Sequence, residues 1–150
     1  MAGETVFYKR ATFVTHLPST FLFSPSHYWL AAEDSDMWRV GFTKFATRML
    51  GDLVEHQFEK RSGEHVLSGE IVGSVEGFKA ISDLYSPVDG RFIEGNPVLL
   101  SDVDLISRDP YGEGWLFRIE GTPDSRCFDV EGYRQLLDAT IDRMLEKQQS

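Results

Sequence analysis

From Asp52 onward the chain is cut by glycines at positions 63, 69, 73, 77 and 90 into apolar runs too short to be helices. Short strands joined by turns at such intervals fold into a small barrel or sandwich. The segment Trp115-Leu116-Phe117-Arg118-Ile119 reads as another strand, and Gly121-Thr122-Pro123-Asp124-Ser125 after it as a loop. Upstream, His27-Tyr28-Trp29-Leu30 and Trp38-Arg39-Val40-Gly41-Phe42 have the aromatic and β-branched content of further short strands. Phe21-Leu22-Phe23 is a short apolar run ended by Pro25, and the first segment alternates weakly through Val6, Tyr8 and Thr12-Phe13-Val14 before breaking at Pro18.

Two helices interrupt this pattern. Thr43 is placed to cap a short one, with Phe45, Ala46, Met49 and Leu50 on one face and Gly51 at its end. The second closes the chain. Asp129 is its candidate N-cap, Phe128 and Tyr133 stand at hydrophobic-staple spacing, and Val130, Tyr133, Leu136, Leu137, Ile141, Met144 and Leu145 recur at helical period. The expected fold is mainly β: a flattened barrel-sandwich of short strands, with one short internal helix and a C-terminal helix packed on it.

The most informative stretch is 66–94. Apolar strands flank a polar break centred on Lys79, so a hairpin with this lysine near its tip is expected, with Gly77 easing the backbone restriction of the turn. Such a lysine points away from the core on a long flexible stem, which suits covalent loading of a cofactor. On spacing alone, an ordinary solvated turn lysine accounts for it better.

The 24 acidic and 15 basic residues give a net charge of −9, which repels a phosphate backbone and an anionic bilayer alike, so no nucleic acid and no membrane is expected as partner. A composition 41% hydrophobic and 26% charged is that of a soluble globular protein. Cys127, the one cysteine, has no disulfide partner within the chain; it reads as a small buried residue in a reducing compartment. No apolar run is long enough to span a bilayer, and Met1-Ala2-Gly3-Glu4 has neither the basic region nor the apolar core of a leader. A cytoplasmic location is expected, with a mitochondrial one left open. His16, His27, His56 and His65 do not pair at metal-ligand spacing, so no metal is expected; His27 reads as packed or hydrogen-bonded.

The segment Glu76-Gly77-Phe78-Lys79-Ala80, followed by Ser82-Asp83 and Pro87-Val88-Asp89-Gly90, resembles the lipoylation hairpin of the glycine cleavage system H proteins, within the biotinyl/lipoyl carrier family. A second match is Asn96, Leu105-Ile106 and Asp109-Pro110-Tyr111-Gly112-Glu113-Gly114-Trp115. Ser26-His27-Tyr28-Trp29, Gly41-Phe42-Thr43, Ala46 and Leu50-Gly51-Asp52 also fall in the family's order. The resemblance runs from about residue 26 to 147, which divides the chain into an N-terminal extension, 1–25, and a lipoyl-carrier domain, 26–150. Biotin carriers usually flank their lysine with methionines; Phe78 and Ala80 stand here. The chain departs from the family at Tyr28 (usually acidic), Gly77-Phe78 (usually Ser-Val), Lys44 (usually Asp) and Ser107 (usually Asn).

The resemblance implies a lipoyl-domain-like barrel-sandwich hybrid and a non-catalytic carrier, with lipoate as the covalent cofactor, in an amide to Lys79, and Glu76, Gly77, Ala80 and Asp83 as the residues around it. Glu76 reads equally as an element read by the lipoylating enzyme or as a surface carboxylate; Asp83 reads rather as a turn cap. Asp109-Pro110-Tyr111-Gly112 reads as a structural turn. The partners implied are a pyridoxal-phosphate glycine decarboxylase, a folate-dependent aminomethyltransferase, dihydrolipoyl dehydrogenase and a lipoylating enzyme. The departures keep three alternatives open: a relative relaying lipoate or serving another lipoyl-dependent system, an unmodified interaction module, and an independent enzyme.

Overall fold

The computed structural model describes residues 3–149; Met1 and Ala2, on which the leader reading partly rests, and Ser150 lie outside them. In chain order the elements are β1 (Thr5–Arg10), β2 (Phe13–Pro18), β3 (Leu22–Phe23), β4 (Tyr28–Ala32), β5 (Met37–Phe42), α1 (Lys44–Leu50), β6 (Leu53–Phe58), β7 (His65–Val66), β8 (Ile71–Gly77), β9 (Ile81–Tyr85), β10 (Val88–Gly95), a 3₁₀ turn (Pro97–Leu100), α2 (Leu105–Arg108), β11 (Phe117–Pro123) and α3 (Val130–Gln149).

Two sheets form the sandwich: one of six strands in the order β3-β4-β5-β11-β10-β7, and one of three in the order β6-β8-β9. Their facing side chains, among them Leu30, Val40, Val72, Val75, Leu84, Val88 and Phe117, build one buried cluster. A second lies on the other side of β4. Trp29 and Ala31 face it, joined by Phe23, Phe45, Tyr133, Leu137 and Ile141. A strand covered on both faces carries apolar residues without alternation, which is why β4 reads Tyr28-Trp29-Leu30-Ala31. The mainly β sandwich with a short and a terminal helix is as expected.

The terminal helix starts where the sequence placed it. The Asp129 carboxylate accepts the Gly132 N–H at 2.9 Å, and Phe128 and Tyr133 both join the second cluster. The segment 5–18 forms a two-stranded hairpin laid on this helix: the Tyr8 hydroxyl donates to Asp138 at 2.7 Å, and Arg10 grips Asp142 through Nε at 3.0 Å and Nη2 at 2.7 Å. Tyr8, Phe13 and Leu17 are buried in the second cluster. Strand β3, also within residues 1–25, is the edge of the six-stranded sheet.

The last strand differs from expectation. It begins at Phe117, and Gly121-Thr122-Pro123, expected in a loop, are its end, pairing with Gly90, Asp89 and Val88. Local turn chemistry favoured a loop; a neighbouring strand supplied the partner that overrode it.

Candidate functional site

Lys79 stands at the tip of the β8–β9 hairpin. The Gly77 N–H donates to the Ala80 carbonyl at 2.9 Å and closes the turn. Phe78, Lys79 and Ala80 are all exposed. The tip is not a free bend: the Phe78 N–H donates to the Asp52 carbonyl at 3.0 Å, and the Lys79 N–H to the Leu50 carbonyl at 2.9 Å. The lysine Nζ reaches the Arg48 carbonyl at 3.2 Å, in the last turn of α1, where the helix dipole favours a cation. The backbone of Lys79 is therefore fixed by the end of α1, while its side chain stays in solvent.

Two glycines permit this contact. Gly51, the helix C-cap, has φ +76°, and a Cβ there would stand 3.0 Å from Lys79 Cγ. Gly77 is not among the glycines of positive φ, so the expectation that it eases the turn backbone is corrected: it permits close approach, since its Cβ would lie 2.2 Å from the Leu50 carbonyl oxygen.

Glu76 and Asp83 are exposed on the outer face of the three-stranded sheet, where Glu76 faces Ile81 and Asp83 faces Ser74. Asp83 sits within β9, not at a turn, so the turn-capping reading is corrected. Glu55, which pairs with Glu76 across β6 and β8, brings a third carboxylate to this face; the sequence reading missed it because the two residues meet only through strand pairing.

The remaining motif residues converge on the other end of α1. The Thr43 side chain caps Ala46 N at 3.4 Å and accepts from the Tyr133 hydroxyl at 2.8 Å. A phenol has one proton to give, so the His27 Nδ1–H donates to Tyr133 Oη at 2.8 Å. Tyr111 Oη accepts the Lys44 N–H at 3.0 Å, and Trp29 Nε1 donates to the Pro110 carbonyl at 2.8 Å. Tyr28 Oη accepts the Tyr85 N–H at 3.0 Å, tying β9 to β4; burial pushes this phenol up to about 12. Asn96, fully buried, donates to the Glu113 and Trp115 carbonyls, both at 2.9 Å, and fixes the turn that carries Tyr111. These contacts hold α1, and α1 holds the tip.

Cys127 is half-buried, and burial pushes its thiol up to about 11, away from thiolate chemistry. Among the described residues, no group of three His, Cys, Asp or Glu side chains is arranged to hold a metal, and no helix is long and apolar enough to cross a membrane.

The family model for the glycine cleavage H-protein matches residues 21–142. The chain belongs to the glycine cleavage H-protein family. It is 38% identical over 124 residues to a glycine cleavage system H protein of Corynebacterium jeikeium, covering 81% of this chain and 97% of that one. It is 36% identical over 128 residues to one of Photorhabdus laumondii, covering 83% and 98%. The crystal structure of an H protein from Mycobacterium marinum superposes with a TM-score of 0.70 at 35% identity, covering 78% of this chain and 95% of that one. The architecture is thus the lipoyl-domain-like barrel-sandwich of the H proteins. The β1–β2 hairpin lies before the matched span.

The support under α1 carries a pH signature. Burial lowers the His27 imidazole from 6.5 to about 4. Above pH 6.5 it is neutral in folded and unfolded chains alike, and its full contribution is present. Between 6.5 and 4 the unfolded chain binds a proton that the folded one refuses, so stability falls as the pH falls, by about 1.4 kcal/mol per unit and about 3 kcal/mol over the window. Urea unfolding at pH 7 and pH 5 is expected to show a loss of about 2 kcal/mol from this group. His27→Asn should remove that part of the loss; asparagine tolerates the φ of +72° found there. An equal loss in both proteins would contradict the assignment.

Proposed function

We propose that the chain is the lipoyl carrier of a glycine cleavage system, with lipoate in amide linkage to Lys79. On this reading it shuttles the aminomethyl group from a pyridoxal-phosphate glycine decarboxylase to a folate-dependent aminomethyltransferase, and dihydrolipoyl dehydrogenase reoxidises the arm. It has no active site of its own. The observation that carries the reading is the exposed Lys79 side chain on a backbone fixed by the Leu50 and Asp52 carbonyls. A carrier needs both properties: a stem that a modifying enzyme can grip, and a base that does not wander.

The residues present fit an amide-linked acyl group. Nζ is in reach of solvent and donates to the Arg48 carbonyl. In loading, deprotonated Nζ attacks the carbonyl carbon of an activated lipoyl group held by the lipoylating enzyme. The activating group leaves with the electron pair of its bond to that carbon, one Nζ proton passes to solvent, and Nζ keeps one hydrogen, enough to go on donating to Arg48. The ammonium charge is lost, so an apolar chain replaces a cation at the tip. Glu76, Asp83 and Glu55 offer the modifying enzyme an acidic face beside the lysine, and Gly77 and Ala80 shape the turn. Once attached, the lipoyl disulfide supplies the sulfurs on which the one-carbon unit travels.

A second reading, relay of lipoate to another lipoyl-dependent system, is favoured by Tyr28, whose hydroxyl is engaged by Tyr85 N where the family usually has an acidic residue. One experiment separates them. The protein is treated with a lipoylating enzyme and lipoate, weighed intact, and then offered glycine and glycine decarboxylase. The carrier reading expects the lipoyl mass on the peptide containing Lys79, followed by uptake of the aminomethyl group. Lipoylation without uptake favours relay; no lipoylation, where a known acceptor is loaded, refutes both.

A further inference from the structure

A hollow of about 420 Å³ lies between α1 and the β8–β9 tip, with Ser107 of α2 in its wall. Three cations line it, Lys44, Arg48 and Lys79, against one carboxylate, Asp52. None of the three forms an ion pair with a described residue, whereas Arg10, Lys60, Arg108 and Arg118 each hold a carboxylate. A chain with 24 acidic and 15 basic residues thus gathers positive charge at one place and leaves it unneutralised.

Helix stability accounts for only part of this. Arg48, in the last turn of α1, gains from the helix dipole, and its guanidinium carbon stands 5.8 Å from the Phe13 ring centroid, at the border with a neighbouring hollow. Lys44 is the opposite case. It is the first residue of α1, where a cation opposes the dipole, and it stands where the family usually has aspartate. Ser107, a second departure from the family in the same wall, has its Oγ buried without a hydrogen-bond partner, so it gives up no bond in turning to a ligand.

We infer that this hollow is a site for a phosphate-class oxyanion, held between the side chains of Lys44, Arg48 and Lys79. Three cationic donors suit a ligand with at least three accepting oxygens and more than one charge; phosphate has both, and a carboxylate has neither. The site also senses loading, and that part rests on the lipoyl reading above. Acylation of Nζ removes one cation and leaves two against the carboxylate, so the unloaded chain binds the anion more tightly. Reciprocally, an anion paired with Nζ has to leave before the amine can attack an acyl carbon, so phosphate slows loading.

The full, unloaded chain, labelled with ¹⁵N, is titrated with inorganic phosphate, and in parallel with acetate and chloride at equal ionic strength. The amides of residues 44–51, 79 and 107 are expected to shift along a saturating curve with phosphate alone, with a Kd of the order of millimolar. Lys44→Asp, which suits the first turn of a helix, should weaken binding about tenfold. Lys79→Gln, neutral like the acylated lysine, should do the same, and Lys79→Arg should keep the site. Loading of the parent, followed by intact mass and corrected with a known acceptor for any effect of phosphate on the lipoylating enzyme, should slow over the same phosphate range; loading of Lys44→Asp should not. Shifts that never saturate, an equal response to acetate, or a Lys44→Asp protein that binds phosphate like the parent would overturn the site. Loading indifferent to phosphate in a parent that binds it would overturn the competition. If no lipoyl mass is gained at all, the carrier reading fails, and the titration still decides whether the anion site exists.

Discussion

Lys79→Arg is expected to abolish lipoyl loading while leaving the fold untouched. The substitution keeps a cation at the tip and keeps the backbone N–H that donates to Leu50. It removes the amine: a guanidinium stays protonated and delocalised at neutral pH, so it has no lone pair to form the amide. The side chain is exposed and its contact with the Arg48 carbonyl is at the surface, so the unfolding free energy should change by no more than about 0.5 kcal/mol. Intact mass after incubation with a lipoylating enzyme reads the first effect and urea unfolding the second. A lipoyl adduct on the Arg variant would place the attachment at another lysine, Lys44, Lys60 or Lys147 on the same domain or Lys9 before it. Loss of loading accompanied by loss of stability would mean that Lys79 is structural.

How much of this arrangement is legible in the sequence depends on how local each cause is. The caps of both helices were legible because the cause lies within one turn: Thr43 with Ala46, and Asp129 with Gly132. The hairpin was legible because a polar break between apolar runs states both its strands and its tip. The pinning of that tip was not, since the Leu50 and Asp52 carbonyls lie far from Lys79 in the chain and carbonyls leave no mark in the residue type. The role of Gly77 was misjudged for the same reason: a glycine serving close approach looks, in sequence, like one serving a turn. Strand β11 was cut short at Gly121 because its end is dictated by β10 rather than by its own residues. The weak alternation at Val6 and Tyr8 was legible as strand, but nothing in it announced that Tyr8 and Arg10 would bind Asp138 and Asp142 of the terminal helix.

The contrast between an intact lysine and a displaced one gives the second large effect. Gly77→Val leaves Nζ, its exposure and the acidic face unchanged, and yet it is expected to impair loading. The new Cβ would stand 2.2 Å from the Leu50 oxygen and 2.9 Å from its carbon, both backbone atoms at the end of a helix. Something must move, and the Leu50 carbonyl is the acceptor of the Lys79 N–H. Separating the tip from α1 therefore costs steric relief, about 1–3 kcal/mol, together with a hydrogen bond whose partners lose each other, about 1 kcal/mol. Urea unfolding should report a loss of about 2–4 kcal/mol. The lipoylation rate should drop about tenfold, the factor that follows if the lysine holds its reactive position in only a tenth of the molecules. Phe78→Val is the control: Phe78 is 80% exposed, and the change leaves both the turn and the pinning bonds in place. It should load at the normal rate unless the lipoylating enzyme grips the ring. A Gly77→Val protein that is as stable and as quickly loaded as the parent would show that the end of α1 does not position Lys79.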